Sequence, residues 1–137
     1  MDEHGPGLEG RAPMVLRGVP SDREHLARAM VAPSVESVTG RWWEWVDAAA
    51  DVHLPAAAVA LTEVEQSGVV MVSALGVHEE NADEAYDELL QALLAVLQRR
   101  CLDTVMVRST QRRVVRALLA AGFEPDPEVD DRYVIAL

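Results

Sequence analysis

The order of apolar runs, turn signals and helical stripes predicts an α/β fold: a mixed sheet with antiparallel strands on its N-terminal side, one central parallel pair, and helices on both faces. Three observations carry this. Two β-rich runs, 57–65 and 69–77, are separated by Gln66-Ser67-Gly68, a hairpin composition. A helical stripe of Leu89, Leu90, Leu93, Leu94 and Leu97 then lies between the second run and another apolar run at 104–107. A strand–helix–strand unit of this kind closes right-handed with its strands parallel. Last, a helical segment stops at Gly122-Phe123, ahead of a final β-rich run at 132–137.

The elements follow in order. Residues 1–13 hold Gly5, Pro6, Gly7, Gly10 and Pro13 and read as a flexible tail outside a single domain spanning 14–137. Residues 14–19 make a short strand. Ser21-Asp22-Arg23-Glu24 has the pattern of a capping box, predicting a helix to about residue 31, ahead of Pro33. Trp42, Trp45, Val46 and Ala49 recur at helical spacing and predict a second helix over 35–50, leaving room for only an abbreviated strand between His53 and Ala57. The run Val69-Val70-Met71-Val72 predicts a strand covered on both faces, with Gly76 a candidate bulge. A central helix is expected over 83–100, with Asn81 or Asp83 as its cap. Another is expected over 111–121, with Val114, Val115, Leu118 and Leu119 inward and Gly122 in the left-handed conformation.

Composition narrows the function classes. The 137 residues carry a net charge of -11, which opposes nucleic acid and anionic membrane as partners. No apolar run reaches the roughly 18 residues of a membrane span, and the first residues have no signal-peptide pattern. With Cys101 as the single cysteine, no internal disulfide forms; a cytoplasmic location is the expectation, and Cys101 reads as a core thiol. His4, His25, His53 and His78 are scattered, so no metal site is expected. All twelve basic residues are arginine, and half of them fall at Arg99, Arg100, Arg108, Arg112, Arg113 and Arg116. Such a cluster either pairs with surplus carboxylates or receives an anion.

From residue 69 on, and more weakly from residue 14, the element order resembles the Gcn5-related N-acetyltransferases (the GNAT superfamily). The resemblance rests on Gly122-Phe123 after the last helix, on Leu75-Gly76-Val77-His78-Glu79 at a strand end, and on the helix beginning near Asp83. It implies that Gly76 and Val77 offer backbone to the pantetheine arm of acetyl-CoA. It also implies that the turn before the helix grips the pyrophosphate with an Arg/Gln-x-x-Gly-x-Gly/Ala pattern. Here that pattern falls on Ala82, Asp83, Ala85 and Asp87. A helix amino end binds phosphate through free amides and a partial positive charge, and glycine lets the backbone come close. Asp83, Glu84 and Asp87 stabilise the helix at that end but repel a diphosphate. The family's asparagine falls on Gln111, and the tyrosine that protonates the leaving thiolate falls on Leu118, which has no proton to give.

The resemblance with these losses implies a non-catalytic or weakly active binding or regulatory module, with a protein partner or a second copy of the chain. The alternative is an active acetyl-CoA-dependent N-acyltransferase with an unorthodox grip. In it, Arg108, Arg112 and Arg113 hold the phosphates, and His78 or Glu79, at the strand end, serves as base; Glu63 and Glu65 read as the solvent side of a strand. A third possibility is a small acidic chaperone-like subunit acting by charge alone. Trp42, Trp43 and Trp45 border the acceptor cleft in this resemblance. On a helix they cannot share one face, so an exposed tryptophan there would suit a substrate or partner.

Overall fold

The computed structural model describes residues 13–31, 40–49, 53–66, 68–78 and 82–137; the expected tail up to residue 12, the first part of the expected second helix and the turn at 79–81 lie outside these. The elements are β1 (Met14–Gly18), a 3₁₀ turn (Ser21–Arg23) running into α1 (Glu24–Ala29), β2 (Arg41–Asp47), β3 (Ala58–Gln66), β4 (Val69–Val77), α2 (Ala82–Arg99), β5 (Thr104–Arg108), α3 (Arg112–Ala120), β6 (Glu124–Pro125) and β7 (Arg132–Ala136). Seven strands form one sheet in the order β1-β2-β3-β4-β5-β7-β6. Among the described residues only β4 and β5 are parallel, as a crossover through α2 requires. Pro13 is tied to the sheet by the Ala48 amide, which donates to its carbonyl at 3.0 Å.

The main correction concerns the tryptophans. Residues 41–47 form a strand, not a helix, and 53–57 contain no strand. Trp-Trp-Glu-Trp-Val-Asp read at a period of two puts Trp43 and Trp45 on one face and Trp42, Glu44 and Val46 on the other. Aromatic and β-branched residues fit a pleated surface packed on both sides. Inserting this strand between β1 and β3 buries Trp42 and Trp43 to 5 % and 4 % exposure, which a surface helix would leave half wet.

Each face of the sheet has its own core. On one face Leu89, Leu90, Leu93 and Leu97 of α2 and Val114, Ala117 and Leu118 of α3 pack with Trp43, Val70, Val72, Val105, Val107 and Phe123. On the other, Ala27 and Val31 cover Trp42, Val46, Val59 and Leu61. Leu119 is 49 % exposed rather than inward, and Ala117 takes the buried place. At the end of α3 the Gly122 amide bonds to the Leu119 carbonyl at 3.1 Å and the Phe123 amide to the Leu118 carbonyl at 3.0 Å, a Schellman cap with Gly122 at φ 103°.

Other expectations are revised. Ser21 makes no side-chain cap; Glu24 instead accepts from Arg28 Nε at 3.0 Å. The register of β3 and β4 shifts at Leu61/Thr62, leaving Ser73 as the extra residue, so the bulge is not at Gly76. Gly76 serves a close approach: a Cβ there would clash with the Met30 carbonyl oxygen at the end of α1. Cys101 is exposed, at φ 62°, just beyond α2. The charged group in the core is Glu44, which accepts from Arg23 Nη2 at 2.8 Å and Arg17 Nε at 2.8 Å; Arg23 and Glu44 are 3 % and 2 % exposed. This network ties the 3₁₀ turn to the sheet.

Candidate functional site

The two parallel strands stay together only over a short stretch. β4 and β5 pair from Val69 with Thr104 to Val72 with Val107, and no further. Beyond Val72, β4 continues to Val77 against β3 alone, while the chain after Arg108 turns toward α3. The His78 amide donates to the Ala57 carbonyl at 2.9 Å, on the β3 side. By strand alternation Gly76 also faces β3, and the backbone groups of Leu75 and Val77 face the gap. Of the two positions expected to offer backbone, Val77 lies on the side away from β3 and Gly76 on the side toward it. His78 is exposed at its end, and Glu79 lies outside the described residues.

The amino end of α2 follows β4 in the chain. Asp83 and Glu84 occupy its first turn, where carboxylates complement the helix dipole. Asp83 is the second residue of the helix, not its cap; Asn81 lies outside the described residues. Arginines of α3 reach this end of α2. Arg113 Nε sits 3.1 Å from Asp83 Oδ1, and Arg116 Nη2 sits 3.2 Å from Asp87 Oδ1 while donating at 3.2 Å to the Asp83 carbonyl. Two arginines of α3 thus clasp two aspartates of α2. All four side chains are largely in water, so each pair is worth about 0–1 kcal/mol. Among the described residues Arg108 and Arg112 are exposed and form no ion pair. Tyr86, one turn into α2, is buried against the core; burial raises its phenol pKa above the ordinary value, and Arg113 pulls it partly back.

The position expected for a proton donor is sealed. Leu118 is fully buried in the core under α3. Gln111 precedes α3 without a side-chain cap bond, its amide donating to Ser109 Oγ at 3.1 Å. On β3, Glu63 accepts from Ser73 Oγ at 2.6 Å, and Glu65 is exposed. Trp42 and Trp43 are buried and Trp45 is half-buried; Trp43 Nε1 donates to Thr62 Oγ1 at 2.9 Å and Trp45 Nε1 to Glu88 Oε1 at 2.9 Å. The sequence reading named Arg116 only within the arginine cluster, without its partners, and did not pick out Tyr86 or the Glu44 network. A two-residue period through 42–46 would have placed Glu44 inward; the clasp joins residues about thirty apart, which no local pattern reveals.

No family model matches the sequence, and no curated protein matches it. The fold does match solved structures. An acetyltransferase from Bacillus subtilis in complex with CoA superposes at a TM-score of 0.67 with 12% identity, covering 91% of this chain and 99% of that one. A GNAT family acetyltransferase from Elizabethkingia anophelis with acetyl-CoA bound gives 0.68 and 10%, covering 90% and 98%. The ribosomal-protein-S18-alanine N-acetyltransferase from Escherichia coli gives 0.63 and 13%, covering 91% and 93%. The mixed sheet with its central parallel pair and flanking helices is a layered α/β architecture. Specifically, the chain has the fold of the Gcn5-related N-acetyltransferases.

Proposed function

We propose that this chain is a GNAT-fold binding or regulatory module with little or no acetyl transfer. The observation that carries the reading is the clasp. Asp83 and Asp87 stand at the helix end where a diphosphate would bind, and Arg113 and Arg116 are spent on them. An incoming pyrophosphate meets carboxylates and must break these pairs to reach the arginines. Two like charges at about 4 Å cost on the order of 1 kcal/mol in water and more where water is thin. Leu118 adds a second deficit, since it has no proton for a leaving thiolate. A protein partner or a second copy of the chain is the ligand class that remains. Titration calorimetry with acetyl-CoA tests this. The expected result is no binding at micromolar concentrations. A dissociation constant of about 1 μM at physiological salt, worth about 8 kcal/mol, would overturn it.

One observation favours a second reading, in which the chain is an active acetyl-CoA-dependent N-acyltransferase. β4 runs on past Val72 without β5 beside it, and among the described residues Arg108 and Arg112, beyond that point, form no ion pair. In this reading Arg112 and Arg113 hold the phosphates, Gly76 and Val77 frame the pantetheine path, His78 takes the amine proton, and proximity supplies much of the rate. Arg112→Ala with Arg113→Ala would then abolish acetyl-CoA binding; unchanged binding removes the idea.

A further inference from the structure

We propose that the start of β2 and the end of α2 form a second site, for an oxyanion, in which Arg41 and Arg100 grip a carboxylate or phosphate group while Trp43 holds both guanidinium groups in place. The carbon of the Arg41 guanidinium lies 4.4 Å from the Trp43 ring centroid, and that of Arg100 lies 5.2 Å from it. Two cations are thereby held within about 10 Å of one another, the reach of a charge at 0.1 M salt. Neither has an ion pair or side-chain hydrogen bond among the described residues. Shortage of carboxylates is not the cause, since 23 acidic residues face 12 arginines. Arg17, Arg23, Arg28, Arg113, Arg116 and Arg132 all meet one.

The platform is rigid and its arms are exposed. Trp43 is buried and fixed by its bond to Thr62. Gly18, its register partner on β1, leaves room for the arm: a Cβ there would come within 2.9 Å of Arg41 Nη2. A guanidinium stacked on an indole keeps its N–H groups in the ring plane, free to fork onto a planar carboxylate or a phosphate face. The negative end of the α2 dipole accounts for Arg99 and Arg100 near it. It does not account for Arg41, which arrives from another element. With about 1.5 Å of rise per residue, the 18 residues of α2 separate this site by roughly 27 Å from the clasp at its other end.

The test titrates the full chain with inorganic pyrophosphate and, separately, with a tetraglutamate peptide, by calorimetry and tryptophan fluorescence. At least one anion is expected to bind. Arg41→Gln with Arg100→Gln, and Arg100→Gln alone should the double variant misfold, is expected to weaken it tenfold or more. Arg28→Gln, at an arginine paired with Glu24 on α1, should leave that binding unchanged. Pyrophosphate alone binding identifies a small phosphate ligand; the peptide binding identifies an acidic protein segment. No binding of either anion at millimolar concentration overturns the proposal. So does wild-type affinity in the Arg41/Arg100 variants, or an equal loss in the Arg28 variant.

Discussion

Glu44 shows what a single side chain costs and secures. Taking a carboxylate out of water is offset only by well-placed cations, here Arg23 within the core and Arg17 at its edge. Arg23→Ala leaves that charge buried with its main partner gone, and is expected to destabilise the fold by about 3–5 kcal/mol in urea unfolding. Gly76 fails for a different reason. A methyl group there meets the Met30 carbonyl, and backbone does not yield as a side chain would, so Gly76→Ala is expected to cost about 1–3 kcal/mol. Asp126 carries a pH signature. The Glu128 amide and the Arg132 guanidinium donate to it, at 2.8 and 2.7 Å, holding its pKa below the ordinary value. Its stabilising contribution is complete above about pH 4 and disappears as pH falls through the lower folded value. Asp126→Asn should therefore flatten the acid limb of stability against pH, read from unfolding midpoints between pH 5 and pH 3.

At the scale of elements, legibility followed periodicity. The bounds of β4 and the course of α2 were visible because a long apolar run and a leucine stripe each fit one period only. The end of α3 was visible because Gly122 and Phe123 carry a cap chemistry with few alternatives. Residues 41–47 were misread because Trp42, Trp45 and Val46 satisfy a helical stripe, while the alternation through Trp43 and Glu44 depends on β1 and β3 lying on either side. Of the candidate site, the acidic amino end of α2 was legible and its pairing to α3 was not, because long-range ion pairs leave no local trace. The clasp also sets a direct expectation. Asp83→Asn with Asp87→Asn removes two like charges and frees Arg113 and Arg116, which should raise affinity for acetyl-CoA about tenfold in calorimetry.

For the whole molecule, charge dominates the solvent-facing energetics. At a net charge of -11 the surface repels itself, and this exceeds what a few exposed ion pairs return. Raising NaCl from 10 to 200 mM should therefore raise the melting temperature, by roughly 2–4 °C for each kcal/mol gained. Among the described residues no helix is long and apolar enough to cross a membrane. The strand order has a mechanical consequence. β1–β4 and β5–β7 are two leaves bound by a spine of four rungs, Val69–Val72 against Thr104–Val107, with the arginine clasp as an outer stitch. Anything driven between the leaves levers about the Val72–Val107 rung, loosening the stitch first and the spine last, an order that native-state hydrogen exchange would record.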